Sequence, residues 1–357
     1  MDSETRRTLN DAGLLGSRQR HVLRLQQLFD GTDSEPQAFL LSGVSKGGRA
    51  VVGEAPEARV DEALRSLALE SHALMDVSVF RPLVVEFDIY GVHFLDRILK
   101  ADVFDLDGSW QVRLVPWPVG ELPVPDLGLD PTWRLARELA QAFVAADVRV
   151  PFFGMPTVAS PLNVAVNLYG QSFLLALLDS PGAARRDLRI IADVQCKIHR
   201  WFLAHVPLAQ LQPVVGAYRT QPPGFGQLCG CTTQLLSPGL YRDMIAPFDQ
   251  ELLQTYPCGG MIHLCGAHTQ HLPVWHDMPE LRALQVNDRA THDLAVYFGG
   301  LRPDQVLYVN PCDGMDVKRI MDTTNGKRTV LVTDRCVPEE CGEQQPRQAE
   351  AGRCGHS

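Results

Sequence analysis

Residues 261–288 read MIHLCGAHTQHLPVWHDMPELRALQVND. Two apolar runs, MIHLCG at 261–266 and RALQVND at 282–288, bracket a histidine-rich segment that starts a helix. Both runs are continuous rather than alternating, the pattern of parallel strands buried on both faces. Strand, helical connection and strand make one β-α-β unit.

The pattern repeats in both directions. Downstream lie QVLYVNP (305–311) and TVLVTD (329–334). Upstream lie FLLSG (39–43), LVVEFD (83–88), PFFGMP (151–156) and PVVGAY (213–218). Helical patterns fill most gaps. Asp130-Pro131 is an N-cap with proline at the first helical position, and Leu135, Leu139 and Phe143 share a face behind it. Residues 182–205 carry an apolar stripe of Leu188, Ile191, Val194, Ile198 and Phe202. Ser237-Pro238 caps a further helix, which Pro247 must kink or end. Eight candidate strands alternating with helices predict an α/β chain folded as a (β/α)8 TIM barrel. The segment Asp102–Val124, with the turn pair Asp107-Gly108, predicts a small β-hairpin insertion. A two-domain doubly wound fold is the second reading. It is weakened because no G-x-G-x-x-G follows a strand and opens a helix.

The 357 residues are 45% hydrophobic and 21% charged, which suits a globule with a large core. Residues 1–18 are polar and expected to be flexible, 19–338 form the barrel, and 339–357 are expected to be a disordered tail. A net charge of −9 disfavours a nucleic-acid partner. The run Val150–Leu178 carries no charge, but Pro151, Pro156, Pro161, Gly154 and Gly170 argue against a membrane helix. It reads as a buried strand, a loop and a helix. The start, MDSETRRTLNDAGLLG, shows no apolar signal region, so a cytoplasmic location is expected. Nine cysteines, an odd count, point to metal or thiol chemistry rather than a disulfide framework.

In a barrel the chemistry sits where strands end. His263 and Cys265 are two apart on one run, so both side chains face one way. Cys336 falls at the end of the last run. One His and two Cys make a three-ligand zinc site with an open fourth position, the catalytic rather than structural pattern. Cys312, ending QVLYVNP, competes with Cys336 as third ligand. Cys229 and Cys231, in GQLCGCTT, face the same rim as packing residues or as a second metal or redox pair. Asp288, Arg219 and His268 are the candidate catalytic groups: a carboxylate, an anion-holding cation and a proton-handling imidazole. Asp88, Tyr90 and Gln227 are the candidate cofactor-binding positions.

At these residues the sequence resembles the uroporphyrinogen decarboxylase superfamily. The matching pieces are SPLNVAVNLYGQSFLLALLDSP (160–181), LSPGLYRDMIAP (236–247) and IHLCG (262–266), in the family's order. The resemblance implies a (β/α)8 barrel and two alternative activities. The branch closest in motif is the zinc-dependent corrinoid methyltransferases, whose H-x-C and distant Cys match His263, Cys265 and Cys336. Cys336 is followed by Val337, where that branch usually has Gly. This branch implies bound zinc, a small-molecule thiol, a corrinoid as methyl donor or acceptor, free or on a partner protein, and a homodimer. The alternative is decarboxylation of a tetrapyrrole or another carboxylated substrate. That branch resembles a barrel with an Arg-rich N-terminal segment, where this chain has LSGVSKGGRAVVG (41–53).

Overall fold

The computed structural model describes residues 1–32, 37–156, 159–213 and 216–333. Its strands are β1 (Phe39–Leu41), β2 (Val44–Arg49), β3 (Val79–Phe80), β4 (Leu83–Asp88), β5 (Asp102–Leu106), β6 (Ser109–Arg113) and β7 (Phe152–Gly154), then β8 (Leu211–Gln212), β9 (Gly226–Cys229), β10 (Gly260–Leu264), β11 (Leu281–Val286), β12 (Val306–Val309) and β13 (Thr329–Val332).

The ladders do not draw a single closed sheet. One parallel sheet runs β3-β1-β13-β12-β11-β10-β9, and a second runs β2-β4-β7-β8. The sheets meet at two places. β3 and β4 are separated only by Arg81-Pro82, where proline offers no N–H to a ladder. At the other margin Ala159 bridges to Cys229 in parallel, and Ser160 N donates to Cys229 O at 2.8 Å. β5 and β6 form the expected antiparallel hairpin about Asp107-Gly108.

At three places the structure adds to the sequence reading or departs from it. First, of the strand expected at 213–218, residues 214 and 215 lie outside the described residues; the described strand before them is β8, and Ala217–Arg219 is a tight turn entered through Gly216 at φ 85°. The strand that follows is β9, a short GQLC with too little apolar character to stand out. Second, the polar, glycine-bearing VSKGGR pairs along its whole length with β4. Third, the segment 1–18, expected to be flexible, carries helical structure. Ser3–Thr8 and Ala12–Phe29 are helices capped by Asp2 and Asp11. Leu9 is fully buried, and Arg18 Nη1 donates to the carbonyls of Arg149 (2.7 Å) and Val150 (3.0 Å). A few apolar anchors suffice to dock a polar helix. The expected tail, 339–357, lies outside the described residues.

The uncharged run folds as β7 and two helices, Pro161–Tyr169 and Gln171–Asp179, bent by 112° at Gly170. Among the described residues no single helix is long and apolar enough to cross a membrane.

A buried polar knot ties the loops behind β9. The Ser160 hydroxyl donates to Asp249 at 2.7 Å and the Tyr241 hydroxyl donates to the same carboxyl group at 3.1 Å. Trp275 Nε1 donates to the Tyr241 oxygen at 3.0 Å. Ser160, whose N–H holds Cys229 O, thereby fixes β9 to the helices of 238–254. A second pin, Asp187, accepts from Gly120 N (2.7 Å), Leu122 N (3.2 Å) and the Tyr169 hydroxyl (2.7 Å). It holds the long loop after β6 onto the helix Pro181–His205.

Candidate metal centre

Cys229, His263 and Gln285 are register partners across β9, β10 and β11. Partners in a parallel pairing face the same side, so thiol, imidazole and amide form one row. Two residues beyond Cys229 and His263, Cys231 and Cys265 return to that side. The Sγ atoms of Cys229 and Cys231 are 3.4 Å apart, those of Cys231 and Cys265 are 3.2 Å apart, and Cys265 Sγ is 2.9 Å from His263 Nε2. The donor atoms of Cys229, Cys231 and His263 all lie within 4.8 Å of one another.

This donor set suits a borderline-soft ion. Zinc with bonds of about 2.3 Å to sulfur sets tetrahedral ligand edges of about 3.5–3.8 Å. The observed separations are shorter by a few tenths of an ångström, because here the groups hydrogen-bond one another.

The thiols are electrostatically unequal. Hydrogen bonding from Cys231 pulls the Cys229 thiol down to about 6 and the Cys265 thiol down to about 4, with further help from His263 and Arg219. Cys231 is pushed up, because its hydrogen bonds to Cys229 and Cys265 hold its proton, and burial and the neighbouring sulfurs oppose a further negative charge. Asn163 supports the cluster from the helix Pro161–Tyr169. Its Nδ2 donates to Cys229 Sγ at 3.6 Å, and its Oδ1 accepts from Thr232 N at 3.2 Å.

Arg219 reaches the cluster from the turn after β8, with Nη2 3.5 Å from His263 Nε2. Its Nε is buried without a hydrogen-bond partner. Glu86 stands nearby. Its carboxylate accepts from Gly216 N at 3.0 Å and from the Ser45 hydroxyl, and it feels the charge of Arg219. Burial raises its pKa. Glycines make room for it: a Cβ on Gly47 would lie 2.0 Å from the Glu86 carbonyl oxygen, and one on Gly154 2.9 Å from the Glu86 Cβ. Glu86 also lines a cavity of about 190 Å³ with Asp88, Gly91 and Met155.

The other expected site residues are placed as follows. Cys336 lies outside the described residues. Cys312 faces the Asp288 carbonyl (3.8 Å) and His292 Nε2 (3.9 Å) rather than the His263–Cys265 pair. Asp288 is exposed on the rim, with strained φ 47° and ψ −123°. His268 is buried with both ring nitrogens engaged, one by the Thr233 hydroxyl at 2.9 Å and one by Gly266 N at 3.3 Å. Burial holds its pKa down to about 3, so it is a neutral latch on the turn after β10. The Asp88 carboxylate accepts from Trp110 Nε1 (2.9 and 3.0 Å) and Gly91 N (2.5 Å). Tyr90 packs on Trp110 and under Arg97. Gln227, two residues before Cys229, is buried with its Oε1 unpartnered.

Glu86, Asn163 and Gln285 were not singled out from the sequence. Gln285 left one signal, an uncharged polar residue inside a buried apolar run. Glu86 left a similar one in LVVEFD.

No protein-family model and no curated protein matches the chain. Among solved structures, the chain is similar to a methyltransferase from Methanosarcina mazei, with a TM-score of 0.59 at 14% identity, over 86% of this chain and 90% of that one. At this identity the likeness speaks for the fold: α/β with parallel sheets.

Proposed function

We propose that the chain is a (β/α)8 barrel of the uroporphyrinogen decarboxylase superfamily that acts as a zinc-dependent methyltransferase between a corrinoid and a small thiol. The observation that carries this reading is the convergence of Cys229, Cys231, His263 and Cys265 at the C-terminal ends of β9 and β10. That is where barrel enzymes keep their chemistry. The two margins at which the sheets meet, and the fold likeness to a methyltransferase, support the barrel.

Three of Cys229, Cys231, His263 and Cys265 would hold the ion, with Cys336 as a further candidate, and the fourth position would stay open for the substrate thiol. Bound zinc would act as a Lewis acid that keeps a substrate thiol ionised near neutral pH. The chain's own groups supply the rest. Arg219 offers a cation beside the cluster for an anionic part of the substrate. Glu86, held by Ser45 and Gly216, offers a buried carboxyl group that can carry a proton at the cavity wall. A corrinoid, free or carried by a partner protein, and a homodimeric assembly complete the proposal.

Decarboxylation of a tetrapyrrole is the weaker reading. Of the strand-end carboxylates Asp88 is spent on Trp110 and Gly91, which leaves Asp288 with Arg219 to position a carboxylated substrate. The six cysteines among the described residues are free thiols, which suits a reducing compartment such as the cytoplasm.

The test is anaerobic purification without a metal-affinity tag, metal analysis by mass spectrometry, and then methylcobalamin with a panel of short thiols. About one zinc per chain and thiol-dependent formation of cob(I)alamin, read by its absorption spectrum, are expected. Protein that carries zinc but never demethylates the corrinoid would overturn the methyl-transfer reading. Protein with no stoichiometric metal would overturn the zinc centre itself.

A further inference from the structure

The two ring nitrogens of His263 have different neighbours. Nδ1 is 2.9 Å from Gln285 Oε1, while Nε2 faces Cys265 Sγ at 2.9 Å and Arg219 Nη2 at 3.5 Å. An amide oxygen only accepts, so a short contact to it requires a proton on Nδ1. The acceptor at Nδ1 therefore fixes a proton there, and Nε2 is the nitrogen left facing Cys265 and Arg219.

The Gln285 amide is itself oriented. Its Nε2 donates to Asn310 Oδ1 at 2.8 Å. Reversing Gln285 alone would set amide hydrogens against Nδ1–H and oxygen against oxygen at Asn310. Asn310 is anchored through its backbone: its carbonyl accepts from the Thr291 hydroxyl at 3.2 Å, and its N–H donates to Val286 O at 3.3 Å. Gln285 is fully buried and His263 nearly so, leaving little water to replace either partner.

The geometry points to Gln285 and Asn310 as positioning residues that lock His263 in its Nδ1–H tautomer and so reserve the Nε2 lone pair for the metal. This rests on the metal reading above for its purpose, though not for its geometry. The energetic logic is general. A ligating imidazole almost always donates its second N–H to an outer partner, and losing that partner typically lowers metal affinity by about 10–100-fold.

The experiment has two readouts on the full chain. The first is the nitrogen-15 NMR spectrum of the histidines in metal-free protein, at a pH where the ring is neutral, with His263→Asn used for assignment. Protonated Nδ1 is expected in the wild type, with a shift toward a tautomer mixture in Gln285→Leu. The second is zinc affinity by competition with a chromophoric chelator. Gln285→Leu should lose about 10–100-fold, and Gln285→Glu, which keeps an acceptor against Nδ1, should recover most of that loss.

Protonated Nε2 in the wild type would overturn the lock. So would equal loss of zinc in the Leu and Glu variants, which would mark Gln285 as merely structural. Should Gln285→Leu fail to fold, Asn310→Ala gives the same two readouts with a milder change. A wild type that binds no zinc sinks the metal centre, and the nitrogen spectrum alone then decides the tautomer.

Discussion

Cys231 and Cys265 stand with their sulfurs 3.2 Å apart although 34 positions separate them in the chain. The contact follows from register. Cys229 and His263 are paired across β9 and β10, so the residues two steps further on both leave the sheet on the same side. A C-x-C on one strand and an H-x-C on its neighbour therefore make one cluster rather than two. Cys231 lies between the other two thiols, in contact with both sulfurs.

The cluster makes a ligand prediction. Cys231→Ser, Cys265→Ser and His263→Asn should each lower zinc affinity by more than the roughly 10–100-fold typical of losing an outer partner. Cys336→Ser should retain the metal, because three donors, Cys229, Cys231 and His263, already converge without it. Metal analysis of the four variants, purified side by side, checks this. Retention in Cys231→Ser together with loss in Cys336→Ser would return the third ligand to the last strand.

Asp249 predicts a pH dependence of stability. Burial raises its pKa to about 7, against an ordinary value of 3.8, despite the hydrogen bonds from Ser160 and Tyr241. The folded chain thus keeps a proton that the unfolded chain releases. Its contribution is complete below about pH 4 and is lost as the pH rises through about 7. Asp249→Asn, which needs no proton, should flatten the alkaline side of a Tm-against-pH curve between pH 5 and 8, with differences on the order of a few kcal/mol at most. An unchanged slope would show that the carboxyl group is ionised in the fold.

Much of this was legible in the sequence, for reasons that differ by residue. The runs at β4, β10, β11, β12 and β13 are mostly apolar, and burial on both faces writes them plainly. The hairpin was legible from Asp107-Gly108, a pair that tolerates the turn's backbone; Asp107 indeed has φ 51° and Gly108 φ 84°. β2 was hidden because it lies at a sheet edge, where lysine and glycine are acceptable and strands need no apolar signature. β9 was hidden because it is short and carries a glutamine and a cysteine in place of aliphatic residues. That misplacement is also why Cys229 and Cys231 read as rim residues. Their convergence on His263 is a matter of register between strands 30 residues apart, which no local pattern encodes.

Asp187 predicts a local stability effect. Its carboxylate accepts from two backbone N–H groups of the 118–122 loop and from the Tyr169 hydroxyl, and it is fully buried. Asp187→Ala leaves three buried donors unpaired, each costing about 1–3 kcal/mol in full, less whatever water enters. The expected result is a fall in global stability of about 2–4 kcal/mol and earlier proteolytic cleavage within 114–130 than elsewhere. Limited proteolysis with mass mapping checks it. Uniform sensitivity along the chain would mean that the loop is held by other contacts.

His199 sets the acid limit. It is buried against Tyr256, whose hydroxyl lies 3.1 Å from its Nδ1, and burial pulls its pKa from 6.5 down to about 3. His268, latched to Thr233, is held equally low. In the unfolded chain both rings take up a proton near pH 6.5, while in the fold both refuse it. Stability is therefore lost as pH falls from about 6.5 toward 3, by up to about 1.4 kcal/mol per pH unit for each ring. This slope is opposite in sign to that of Asp249, so the two together place the stability maximum near neutrality. Urea unfolding at pH 7, 6 and 5 should show the decline, and His199→Gln should remove one proton's worth of slope while lowering stability at pH 7. If that variant keeps the full acid slope, His199 is already protonated in the folded protein, and its contact with Tyr256 is that of a cation held by a hydroxyl.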